Sequence, residues 1–173
     1  QMCATCHVYV PDEWLAKLRR EIPEVPPEDV RRMLESNGDR LVIVDVRETD
    51  EYRQGAVPGA LPLPRGFLEL RAGEKLPDRK GKIIAYCAGG VRSLFAADAL
   101  RRLGYENVRS MAGGYTRWKQ NGHPFEVPAP AGERKRESLD IPPAVVEQLR
   151  GLRGEVREIS PRDARDLLGA PGG

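Results

Sequence analysis

The sequence predicts an α/β domain with a central parallel sheet, and three features indicate it. Residues 41–46 and 83–86 are apolar runs of the kind found in strands that are buried on both faces. Helical patterns lie between and after these runs, and a shorter strand-like segment surrounds Val108. Strand–helix alternation over residues 26–127 is typical of a parallel sheet covered by helices.

Local signals predict the elements before the first strand. We expect Asp12 to cap a short helix that reaches Arg20, and the prolines that follow prevent its continuation. A second helix begins at Pro27, because proline suits the first helical turn and two acidic residues follow it at the positive end. Asn and Gly at positions 37–38 end this helix.

The helices of the second half are predicted from their apolar faces. One face follows Cys87, and another follows the glycine pair at positions 113–114. The residues of these two faces are Leu94, Ala97, Leu100, Leu103, Tyr115 and Trp118. We expect Tyr86, Tyr115 and Trp118 to be core residues rather than residues that stack on a substrate.

Composition limits the class of protein. The 173 residues are 40% hydrophobic and 31% charged, which is typical of a soluble globular protein with one domain and appendages. No apolar run approaches the roughly 20 residues of a membrane span, and no secretory signal is visible, so we expect a cytoplasmic protein. The net charge of +2 indicates neither nucleic acid nor a membrane as a partner.

The chain divides into four predicted segments. They are an N-terminal extension, the α/β domain, a linker and a helical C-terminal tail, at residues 1–22, 23–128, 129–140 and 141–173. The linker is predicted from its proline, glycine and charge content. Residues 158–168 repeat the proline-started pattern of residues 24–34, so the tail either opens a second copy of the domain or is simply another amphipathic helix.

Cys87 is the predicted nucleophile. It directly follows a buried strand, and ligands of parallel sheets bind at that end of the strands. Gly89 and Gly90 leave backbone amides open, and Arg92 and the start of a helix add positive charge. These surroundings favour a thiolate and hold an anion without a histidine. The alternative is an inert buried cysteine.

Several motifs in the same order resemble a single rhodanese domain over about residues 25–128. They lie at residues 44–48, 51–52, 55, 58–60, 87–93, 107–108, 113–114 and 118. The resemblance implies a three-layer fold, a parallel sheet wrapped by helices, with N- and C-terminal extensions here. It also implies that Cys87 carries sulfane sulfur as a persulfide. Thiosulfate, mercaptopyruvate and persulfides are the donors of the family, and cyanide, thiols and carrier proteins are its acceptors.

The substrate-binding residues expected from the loop and the resemblance surround Cys87. They are Ala88, Gly89, Gly90, Val91, Arg92, Ser93 and, from a more distant segment, Arg65. Arg65 either contacts a substrate anion or is an ordinary surface arginine. The family places Asp45 and Arg47 in ion pairs that brace the fold. The loop is one residue shorter than that of related phosphatases, which indicates a site for sulfur rather than phosphate.

Cys3-Ala-Thr-Cys6-His7 is a second motif with several interpretations. It resembles a fragment of a [2Fe–2S] ferredoxin, but such a cluster needs four cysteines and the chain has three. Haem attachment, half of a zinc site, a sulfur-accepting dithiol and a remnant without a role are the alternatives. We expect no metal and no cofactor.

The resulting prediction is an enzyme of the thiosulfate sulfurtransferase type. Its partners are a small-molecule sulfur donor and a thiol or protein sulfur acceptor. The alternative is a rhodanese-type binding or regulatory module within a larger sulfur-relay protein.

Overall fold

The structure is a computed structural model that describes residues 11–36 and 41–129. The chain divides into two compact units, Gln1–Glu133 and Arg134–Gly173, and every described residue lies in the first. The Cys3-Ala-Thr-Cys6-His7 motif, most of the linker and the C-terminal tail lie outside the described residues. The division into four segments therefore stays a prediction.

Five parallel strands form one sheet in the order β1-β5-β4-β2-β3. Their bounds are Glu24–Val25 for β1, Leu41–Asp45 for β2, Leu61–Pro62 for β3, Lys82–Tyr86 for β4 and Asn107–Met111 for β5. The long strands at the centre carry the apolar runs of the sequence. In their register Asp45 pairs with Tyr86, and Ala85 pairs with Ser110.

Helices cover both faces of the sheet. They are α1 Asp12–Glu21, α2 Pro27–Glu35, α3 Thr49–Arg53, α4 Leu68–Lys75, α5 Val91–Arg102 and α6 Gly114–Gln120, with a 3-10 turn at Arg65–Phe67. One apolar core lies between the sheet and helices α1, α4 and α5, and a second lies between the sheet and helices α2 and α6. The predicted three-layer α/β fold is confirmed.

Helix α1 begins differently from the prediction. Pro11 occupies the capping position, and Asp12 is the first helical residue, with no side-chain cap at this end. The expected cap at Asp12 is therefore wrong by one residue. Asp12 and Glu13 still lie in the first turn, where a negative charge interacts favourably with the helix dipole. None of the helices in the described residues is long and apolar enough to cross a membrane.

Candidate active site

Cys87 directly follows β4 at the carboxyl edge of the sheet. Its side chain is 1% exposed and lies in the core on the α5 side. The next residues turn sharply, and α5 begins four positions later at Val91. This places the sulfur between the end of a central strand and the positive end of a 12-residue helix.

Gly90 brings a backbone amide onto the sulfur. Its φ of +94° lies in the left-handed region that favours glycine, and its N–H donates to Cys87 Sγ at 3.1 Å. A hydrogen bond of this kind strengthens when its acceptor is ionised. A Cβ atom added at Gly89 would meet no atom within 4 Å, so the loop is open at this residue.

Two serine hydroxyls lie behind the sulfur. Cys87 Sγ donates to Ser93 Oγ at 3.7 Å, and Ser93 Oγ donates to the carbonyl oxygen of Gly90 at 3.0 Å. Ser110 Oγ, from β5, donates to Ser93 Oγ at 2.9 Å. Ser110 is not among the residues predicted from the sequence. Its signal is a small polar residue on a strand face that otherwise contributes to the core.

Arg92 ties the loop to α3. Its two terminal nitrogens donate to the two carboxylate oxygens of Glu51 at 2.7 and 2.9 Å, and Arg92 is 8% exposed. Partial burial would raise the pKa of Glu51, but the hydrogen bonds from Arg92 and from the Glu48 amide lower it overall. The carboxylate offsets part of the positive charge that Arg92 brings to the loop.

Helix α6 supports the loop from the other side. The amide of Tyr115 donates to the carbonyl oxygen of Cys87 at 2.8 Å, and the amide of Thr116 donates to that of Ala88 at 2.9 Å. Gly114, at φ +56°, makes this contact possible, because a Cβ atom there would lie 2.3 Å from the Cys87 oxygen. The sequence analysis used this glycine only as part of a motif and did not predict its contact with the loop.

A buried ion pair lies on the opposite face of the sheet. Arg47 Nη2 donates to Asp45 Oδ2 at 2.6 Å and to the carbonyl oxygen of Gly55 at 2.7 Å. Tyr86, whose OH donates to Asp45 Oδ2 at 2.6 Å, has its pKa raised by burial and by that carboxylate. Asp45 and Arg47 connect elements of the core, in agreement with a bracing role. Tyr86 and the two aromatic residues of α6 are buried, as predicted.

Arg65 lies at the same edge of the sheet but away from the loop. Its backbone N–H donates to the carbonyl oxygen of Val46, the residue that follows β2, at 3.1 Å. Two strand spacings, on the order of 10 Å, therefore separate its backbone from that of Cys87. Its guanidinium is partly exposed and pairs with Glu69 at 2.8 Å. The structure brings together the seven predicted residues 87–93, and a substrate contact of Arg65 stays a prediction.

Comparison with curated relatives agrees with the resemblance seen in the sequence. A sulfurtransferase of Allochromatium vinosum is 33% identical over 107 residues, which cover 62% of this chain and 97% of the relative. The thiosulfate:glutathione sulfurtransferase of Homo sapiens is 33% identical over 108 residues, which cover 56% of this chain and 92% of the relative.

Comparison with solved structures supports the same fold. A protein of unknown function from Rhodopseudomonas palustris, described as a possible tyrosine phosphatase, is 30% identical, with a TM-score of 0.60. The match covers 73% of this chain and all of that structure. The family described as Rhodanese-like domain matches residues 26–121, more than half of the chain. This protein therefore belongs to the rhodanese-like domain family.

Proposed function

We propose that the protein is a sulfurtransferase that carries sulfane sulfur as a persulfide on Cys87. The observation that supports this most directly is the Gly90 amide, 3.1 Å from a cysteine sulfur at the end of a central strand. A fixed donor at that distance stabilises negative charge on the cysteine and costs no reorganisation during the reaction.

The first half-reaction loads the enzyme. The Cys87 thiolate attacks the outer sulfur of thiosulfate, a new S–S bond forms, and the original S–S bond breaks as sulfite leaves with its electron pair. The product is a negatively charged persulfide on Cys87. The Gly90 amide and the positive end of α5 stabilise this charge.

The second half-reaction returns the sulfur. A thiolate or cyanide attacks the outer persulfide sulfur, and Cys87 leaves as the thiolate, ready for another cycle. The reaction needs neither a metal nor an external redox partner, and its kinetics are ping-pong. Thiosulfate and glutathione are the candidate donor and acceptor, because the name of the Homo sapiens relative includes both.

The test is intact mass spectrometry after incubation with thiosulfate. The full chain is expected to gain one sulfur atom and to lose it when cyanide is added. Cys87→Ser is expected to gain none, because a hydroxyl cannot form a persulfide. A variant with both Cys3→Ser and Cys6→Ser is the matched control, and it should load like the natural sequence. Loading of Cys87→Ser would contradict the proposal.

A phosphatase is the second candidate, because the Rhodopseudomonas palustris structure is described as a possible one. Two observations disfavour it here. Only four residues separate Cys87 from Arg92, and the loop already curls onto the sulfur at Gly90. In addition, the loop carries no acidic side chain to protonate a leaving alkoxide. We expect sulfur transfer with negligible hydrolysis of an aryl phosphate, and efficient hydrolysis that requires Cys87 would favour the second candidate instead.

The other alternative to the enzyme is a rhodanese-type module that does not catalyse sulfur transfer. Such a module would bind a partner of a sulfur relay without loading sulfur itself. The mass measurement therefore separates the two, since a binding module gains no sulfur from thiosulfate.

A further inference from the structure

Ser110 is a fully buried hydroxyl on the face of β5 that packs against α5. Val108, two residues earlier on the same face, belongs to the apolar core, and Ser110 itself is 0% exposed. A buried hydroxyl is costly unless it is hydrogen-bonded. Ser110 satisfies this requirement through the Ser93 hydroxyl, which contacts the catalytic sulfur.

The hydrogen-bonding capacity of Ser93 is fully used while Cys87 is a thiol. A hydroxyl has one proton to donate and two lone pairs that accept. The Ser93 proton goes to the Gly90 oxygen, one lone pair accepts from the Cys87 thiol, and the other accepts from Ser110. Ser110 and the thiol therefore donate to the same oxygen, one at each lone pair.

Loss of the thiol proton to solvent changes the role of Ser93. The Ser93 oxygen would then face a negatively charged sulfur. The favourable arrangement is therefore one in which the Ser93 hydroxyl proton turns away from the Gly90 carbonyl oxygen and points to Cys87 Sγ. Ser110 continues to donate to Ser93 in this arrangement. That bond polarises the Ser93 O–H group and makes it a stronger donor to the thiolate. This effect of Ser110 favours the ionised sulfur.

We propose that Ser110 is a positioning residue that, by acting through Ser93, favours the thiolate form of Cys87. The importance of this effect for turnover rests on the proposed function. The ionisation itself can be measured without any sulfur donor, so the two proposals can fail separately.

Other charged and titratable groups near the loop stay constant in the test. Arg92 on α5 and Glu51 on α3 lie beside the loop. Further groups are Arg65 beyond β3, Arg117 and Lys119 on α6 and, on the opposite side of the sheet, Asp45, Arg47, Tyr86 and Tyr115. A change in the Cys87 titration on replacing Ser110 therefore reports on the hydroxyl chain.

The experiment compares Ser110→Thr with Ser110→Val, which have the same shape and differ in the hydroxyl. Both are made in the Cys3→Ser, Cys6→Ser background, so that Cys87 is the only thiol. The pH midpoint of thiolate formation is read from ultraviolet absorbance and from the rate of alkylation by iodoacetamide. We expect the midpoint of the valine variant to lie about half a pH unit above that of the threonine variant.

The same comparison with Ser93→Ala added tests the route of the effect. We expect the threonine and valine variants to have equal midpoints there, because Ser110 has lost the hydroxyl through which it acts. Equal midpoints with Ser93 present, or an unchanged difference with Ser93 absent, would overturn the proposal. Circular dichroism establishes that each variant is folded, and Ser110→Ala replaces the valine variant if valine prevents folding.

Intact mass spectrometry after incubation with thiosulfate separates this inference from the proposed function. A shifted midpoint in a protein that gains no sulfur supports the role of Ser110 and contradicts the sulfurtransferase. Sulfur loading in a protein whose threonine and valine variants have equal midpoints supports the sulfurtransferase and contradicts the role of Ser110.

Discussion

Glu51 holds the Arg92 side chain through both oxygens of its carboxylate. Both of its oxygens accept from Arg92, and one also accepts from the Glu48 amide at 3.1 Å. The folded protein therefore holds the pKa of Glu51 below its ordinary value despite partial burial. Its contribution to stability is fully present above the unfolded pKa and is lost as the pH falls through the folded one.

We predict that Glu51→Gln lowers the free energy of unfolding by about 1 kcal/mol near neutral pH. The difference from the natural sequence should shrink as the pH falls through the carboxyl range, because protonation removes the same charge from Glu51. Urea denaturation at several pH values measures this. Glu69→Gln is the control, since it breaks the more exposed pair with Arg65 and should cost less. A difference that grows in acid would contradict the assignment.

Gly114 lies where α6 packs closely against the Cys87 loop. A Cβ atom there would lie within 3 Å of the backbone of both Cys87 and Ala88, and backbone cannot move aside as a flexible side chain does. The positive φ adds strain for any other residue.

We therefore predict that Gly114→Ala costs at least about 2 kcal/mol of stability and strongly reduces sulfur loading. Gly89→Ala is the matched control for stability, because no atom lies within 4 Å of a Cβ added there. Thermal unfolding measures the loss of stability, and intact mass spectrometry after incubation with thiosulfate measures the loss of sulfur loading. Equal stability of the two variants would show that α6 does not constrain the loop.

The elements differ in how far the sequence predicts them. Strands β2 and β4 are visible as apolar runs, because burial on both faces favours apolar residues at most of their positions. Strands β1 and β3 have only two residues each, and their pairing depends on neighbours that are distant in the chain. Helix α3 has no buried residue, so it leaves no apolar face in the sequence.

The candidate active site depends on elements from across the described residues. The Cys87 loop and its helix could be predicted, since they are contiguous in the chain. The contacts of Ser110, Glu51 and Gly114 could not be predicted from the sequence. They depend on β5 lying next to β4 and on the positions of α3 and α6 around the sheet. The loop of the candidate nucleophile can therefore be predicted from contiguous sequence, whereas the groups that hold it in place cannot.

Sulfur loading should stabilise the molecule as a whole. The persulfide anion has the Gly90 amide and the positive end of α5 as partners only in the folded state. We predict that the thermal midpoint rises by about 2–8 °C after thiosulfate treatment, the shift expected for roughly 1 kcal/mol. Differential scanning calorimetry measures it, with Cys87→Ser as a control that should not respond. A lower midpoint on loading would indicate that the persulfide strains the loop.

The contact between α6 and the loop also affects how the protein is made. Synthesis proceeds from the N-terminus, so Cys87 leaves the ribosome before the amides of Tyr115 and Thr116 that hold its carbonyl and that of Ala88. Until those residues emerge, the loop lacks one of its two supports. A nascent chain is therefore expected to load sulfur on Cys87 poorly until α6 has docked against the loop.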